Sequence, residues 1–120
     1  MKSYTDIEQS KKLAEILPPE SADYTHLGKD EDNVLTRPYF ESCSSELKEW
    51  IGKDEMYPCW SFTALFKLLP KSAQLEKGNV TELYRVILPV ELETSDWYID
   101  PVDACVVMIE RLYELNLLRL

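Results

Sequence analysis

His26 is the only histidine in the 120-residue chain. Any Ser-His-Asp or Cys-His mechanism would therefore have to run through it. Its neighbours Thr25 and Leu27 read as ordinary strand, and no G-x-S-x-G elbow is present. The residue is expected to be a strand or surface histidine rather than a catalytic one. Cys43, Cys59 and Cys105 are separated by 16 and 46 residues. They form neither a C-x-x-C pair nor an even disulfide set. Zinc ligands normally come as close pairs, so no metal site is expected from these residues and His26. Gly28, Gly52 and Gly78 are isolated. A loop that cradles phosphate needs several glycines together so that backbone N–H groups can converge, so no cofactor of that kind is expected.

The remaining chemistry lies in acids and aromatics. Glu91 and Glu93 are two apart and share a face if their segment is extended; Asp96, Asp100 and Asp103 follow. Read functionally, Glu91, Glu93 and Asp96 form a weak acidic cluster for acid/base work or a divalent ion. Read structurally, they belong to a solvated turn before a capped helix. Lys29 to Asn33 lacks the later ligands of a calcium loop and reads as a hairpin turn. Tyr57, Trp60 and Phe62 gather about Pro58, and Trp97-Tyr98 precede the last helix. Core packing is the first account of these aromatics; a protein-binding surface is the second.

Elements must place these groups. Thr5 and Glu8 have the spacing of a capping box for a first helix that Pro18-Pro19 stops. Ile7, Leu13, Ala14, Ile16 and Leu17 gather mainly on one face and Glu8 to Lys12 are polar, which predicts that this helix lies on the outside of the core. Tyr24 to Leu27 reads as a strand, with Val34 to Thr36 as its return. Glu46 to Ile51 predicts a short helix ended by Gly52. Tyr57 to Ser61 should open a further helix, with Ser61 as N-cap and Pro70 as its stop. Its apolar residues, Phe62, Leu65, Phe66, Leu68 and Leu69, predict the most buried helix of the fold. Ser72 to Asn79 reads as a polar connection. Leu83 to Val90 is the best strand in the chain, and Trp97 to Ile99 should pair with it antiparallel. Asp100-Pro101 starts the last helix, with Asp100 as N-cap; Val102, Cys105, Val106, Ile109 and Leu112 follow helical spacing, and Asn116 closes it. The expectation is an α+β fold, a two-layer single domain spanning 1–120, with a small, mainly antiparallel sheet packed by about four helices.

Three stretches occur in a recognisable order. They are Thr5-Asp6-Ile7-Glu8-Gln9-Ser10-Lys11-Lys12-Leu13, then Pro58-Cys59-Trp60-Ser61 running into Ala64-Leu65 and Leu68-Leu69-Pro70. The third is Pro101-Val102-Asp103-Ala104 before a helix ending Glu114-Leu115-Asn116-Leu117-Leu118. This order resembles a family of small uncharacterised proteins from Bacteroides-type gut bacteria and their prophages or mobile elements. The resemblance implies a cytoplasmic, phage-derived accessory protein. It carries no catalytic residue over, because that family has no established activity.

Composition narrows the partners. There are 22 acidic and 13 basic side chains, a formal charge of -9. Nucleic-acid and anionic-membrane binding both need clustered Lys and Arg, so neither is expected. The first residues turn charged at once and offer no secretory signal, and the longest apolar run, Ala104 to Ile109, is too short to span a bilayer. A cytoplasmic location is expected. The leading expectation is a non-enzymatic interaction or regulatory protein. Tyr57, Trp60, Trp97, Tyr98, Leu117, Leu118 and Leu120 are its candidate contacts, toward a protein partner or a second copy. Two alternatives stay open: a small-ligand binder or enzyme built on the acidic cluster, and an acidic mimic of nucleic acid. The acids are spread along the chain, which weakens the mimic.

Overall fold

A computed structural model describes residues 2–27, 34–36 and 56–118. Within them lie three α-helices and two three-stranded antiparallel sheets. In chain order the elements are α1 (Ile7–Ala14), a 3-10 turn (Pro19–Ser21), β1 (Tyr24–Leu27), β2 (Val34–Thr36), β3 (Met56–Cys59), α2 (Phe62–Leu68), β4 (Gln74–Lys77), β5 (Tyr84–Leu88), β6 (Glu93–Thr94) and α3 (Pro101–Glu114). The class is α+β as expected. The single small sheet is corrected to two, ordered β2-β1-β3 and β4-β5-β6. About four helices become three among the described residues; the expected helix over 46–51 lies outside them. So do Cys43, Trp50, the 29–33 turn and Leu120.

The first sheet carries the first difference from the sequence reading. Met56 to Cys59 is a strand, not a helix entry, and pairs with β1 from Tyr24↔Cys59 to Leu27↔Met56. Pro58 is tolerated because β3 is an edge strand, where a missing N–H breaks no ladder bond. The central strand β1 buries Thr25, His26 and Leu27. The second sheet carries the next. Gln74 to Lys77 pairs with β5 despite its polar composition, because it too is an edge strand and largely exposed. Trp97 to Ile99 does not form the expected strand. The turn after Leu88 closes β5 onto Glu93–Thr94 instead, and only Tyr98 reaches β5, in an isolated bridge to Tyr84.

Helix ends follow local chemistry, with two corrections. Asp6, not Thr5, caps α1. Its carboxylate accepts the Gln9 N–H (2.8 Å), and the Gln9 side chain accepts the Asp6 N–H (3.1 Å). Asp100 makes no side-chain cap on α3; its carboxylate accepts the backbone N–H of Lys2 (2.8 Å). Ser61 caps α2 as expected, accepting the Ala64 N–H (3.2 Å), and itself donates to Asp23. The most buried helix is α3, not α2. Eight of its residues, from Pro101 to Leu112, are buried, against Leu65 alone in α2. α3 lies between α2 and β5, and α1 packs on β3 and α3. Leu13 in α1 is fully buried and Ser10 is buried beside it, while Glu8, Lys11 and Lys12 are exposed, so α1 lies on the outside of the core with one face turned in, as expected.

Candidate functional site

Three chain reversals meet at one end of α3. α2 stops before Pro70, which leaves Lys67 to Lys71 as one wall. β5 turns into β6 through Val90 and Glu91, a second wall. α3 ends in a Schellman motif, with Asn116 in the left-handed region (φ 58°). There the Leu117 N–H donates to Leu112 O (2.8 Å) and the Asn116 N–H to Tyr113 O (3.1 Å). That reversal sets Leu117 and Leu118 beside Leu112 as the third wall. Between the walls lies a cleft of about 630 Å³, lined by Leu68, Leu69, Pro70, Val90, Leu112, Leu117 and Leu118, with Lys67, Lys71 and Glu91 as its charged lining residues. Such a volume falls within the ordinary range of ligand sites.

The lining is unusually uncovered. Val90 is 75% exposed and Leu117 44%. Leu92, the residue after Glu91, is 89% exposed and sits at φ 56°. A left-handed backbone costs a leucine on the order of 1 kcal/mol, and its exposed side chain offsets none of it. No ion pair among the described residues engages Lys67, Lys71 or Glu91. Glu91 Oε2 is shut off from solvent with no hydrogen-bond partner, a state the protein interior rarely tolerates.

The sequence-chosen residues divide. Leu117 and Leu118 both line the cleft; Leu120 lies outside the described residues. Trp60 cannot be a surface contact: it is fully buried, and its indole N–H donates to Ser21 Oγ (2.9 Å). Tyr57 is half-buried on β3 with the Lys11 ammonium 5.0 Å from its ring centre. Trp97 is 39% exposed, with the Arg85 guanidinium 4.5 Å above its ring. Tyr98 packs against the core. None of these three lines the cleft. The acidic cluster also separates. Glu91 lines the cleft, Glu93 meets Arg111 (3.4 Å), and Asp96 is exposed. Among the described residues no three His, Cys, Asp or Glu side chains are grouped to hold a metal ion.

Among the described residues, the histidine and the cysteines lie elsewhere. His26 is fully buried; its Nε2–H donates to Thr5 O (2.8 Å), and Nδ1 has no partner. Burial pushes the Cys59 thiol up to about 12, with Asp23 adding to the shift. Burial alone pushes Cys105 up to about 12. Neither sulfur is a thiolate near neutrality. Lys67, Leu68, Leu69, Pro70, Lys71, Val90 and Leu112 were not legible as site residues. Each reads as ordinary helix, helix stop or strand end, and only the meeting of three distant segments makes them a cleft.

No protein family, curated protein or solved structure matches the chain. Among the described residues no helix is long and apolar enough to cross a membrane.

Proposed function

We propose that this chain is a non-enzymatic interaction protein, a cytoplasmic accessory or regulatory factor of a prophage or mobile element. It receives an apolar segment of a partner protein in the cleft between α2, the β5–β6 turn and the end of α3. The observation that carries this reading is the exposure of Val90 and Leu117 in the lining of one apolar cleft, with a left-handed backbone at Leu92, next in chain to the lining residue Glu91. Exposed apolar side chains on one concave surface mark interaction sites, and backbone strain collects at functional positions. Among the described residues, the buried histidine and the un-ionised thiols of Cys59 and Cys105 support a binding role over nucleophilic catalysis there.

Site-specific photocrosslinking in the host cell tests this. A photoreactive residue at position 90 or 117 is expected to trap one discrete protein. The same residue at exposed Thr63 should trap none, and Leu117→Glu should abolish the adduct formed from position 90. An adduct at twice the chain mass assigns the face to a second copy and overturns the hetero-partner reading. Equal or absent crosslinking at all three positions overturns the cleft as the interface.

A further inference from the structure

Three charged side chains line the cleft, of both signs, and none has an ion pair among the described residues. Glu91 supplies a carboxylate whose Oε2 is enclosed and unpartnered; Lys67 and Lys71, both exposed, line the same cleft. We infer that the occupant of the cleft is an apolar peptide segment carrying a basic side chain, which reaches Glu91, and an acidic one, which reaches Lys67 and Lys71. This rests on the cleft being the docking face.

Charge complementarity selects that occupant. A purely anionic amphiphile could use the two lysines, but it would enclose Glu91 further with no donor, and burying an unpaired carboxylate is costly. A wholly apolar segment would leave all three charges unpaired while removing water from them. A segment with one charge of each sign satisfies every group on the wall. The chain's net charge of -9 also steers basic segments toward it over long range. A rotation of the Glu91 side chain presents Oε2 to the cleft, where an ammonium or guanidinium donates a charge-assisted hydrogen bond. The lysines then discriminate between basic peptides, because a segment with no acid meets their repulsion.

A random dodecamer peptide library panned on the full chain tests the inference, followed by fluorescence anisotropy of the enriched peptides. Enriched sequences should share an apolar core with one Lys or Arg and one Asp or Glu. Glu91→Gln should weaken such a peptide by roughly tenfold to a hundredfold, as should replacing its basic residue by Ala. The two changes together should weaken it no more than either alone, because they remove the same bond. Lys67→Ala with Lys71→Ala should relax the demand for the acid. Val90 is largely exposed, so Val90→Glu leaves the fold intact and should abolish binding. Peptides that bind through the cleft, sensitive to Val90→Glu, yet without charge preference and indifferent to Glu91→Gln, overturn this inference and leave the cleft reading standing. Peptides insensitive to Val90→Glu, or a library with no binder, overturn both.

Discussion

Thr5 shows how much one small side chain can hold. It is fully buried, and its Oγ1 accepts the Trp60 N–H (3.1 Å) and shares a hydrogen bond with Ser10 Oγ (2.8 Å). Its backbone bonds Trp60 and His26 as well. Thr5→Val keeps the shape and removes the hydroxyl, leaving the Trp60 amide and the Ser10 hydroxyl unpaired. It should cost about 1–3 kcal/mol in urea unfolding, with Thr5→Ser retaining most of that. The sequence placed Thr5 in a capping box; Asp6, one residue on, competes better for that role because an ionised carboxylate accepts more strongly than a hydroxyl.

The Asp6 network also sets a pH response. Burial raises the Asp6 pKa, but the Gln9 amide and then the hydrogen bond and charge of Lys2 outweigh it and hold it below 3.8. Burial lowers the Lys2 pKa, but Asp103 and Asp6 outweigh it and hold it above 10.5. A depressed acid stabilises the fold above its unfolded pKa, and that contribution is lost as pH falls through the lower native value. A raised base stabilises below its unfolded pKa, and loses that as pH rises through the higher native value. Unfolding free energy should therefore fall at both ends, below pH 3.8 and above pH 10.5, with a plateau between. Asp6→Asn should flatten the acid limb in urea melts taken across pH. The thiols give a third check. In a Cys43→Ser background, Cys59 and Cys105 should resist a thiol reagent in the native protein and both react once it is unfolded, since their thiolates are disfavoured and their sulfurs enclosed.

At the scale of elements, what was legible in the sequence had strong local signals. α3 announces itself by Pro101 and apolar spacing, α2 by Ser61 and Pro70, and β1 and β5 by composition. What was not legible depends on partners distant in sequence. Met56 to Cys59 and Gln74 to Lys77 are edge strands whose neighbours alone make them strands. Ser95 shows the same dependence: its Oγ accepts the Val86 N–H (2.9 Å) while its own N–H donates to Val86 O (2.9 Å), so one residue replaces regular pairing after β6. Two left-handed residues give contrasting expectations. Asn116 closes α3, and Asn116→Ala should cost about 1 kcal/mol, while Asn116→Gly should be near neutral. Leu92 is the last residue of the turn that closes β5 onto β6, a left-handed position to which a leucine is poorly suited. Leu92→Gly should raise the urea midpoint, by an amount worth about 0.5–1 kcal/mol once glycine's greater unfolded freedom is subtracted. If the turn's apolar tip is kept for binding, the same change should weaken the enriched peptides.

At the scale of the whole molecule, one buried cluster runs from Leu13 through Trp60 and Val86 to Leu112. It joins β5 to the three described helices, takes in Trp60 just after β3, and leaves the cleft at its end. Leu117 and Leu118 were recognisable in the sequence as an apolar tail; Trp60 stood both as core and as candidate contact, because an aromatic near a proline looks the same in either place, and it is core. The charge of -9 was visible from composition, but its sign alone hid the two lysines that line the cleft with Glu91. Peptide binding should weaken as salt rises, since exposed charges carry part of the recognition. The central claim is that partners enter this cleft. Amide hydrogen exchange of the full chain, with and without an enriched peptide, reads it directly. Protection confined to Leu68–Lys71, Val90–Glu91 and Leu112–Leu118 is the predicted result; protection on β3 or β4 with these segments unchanged would contradict it.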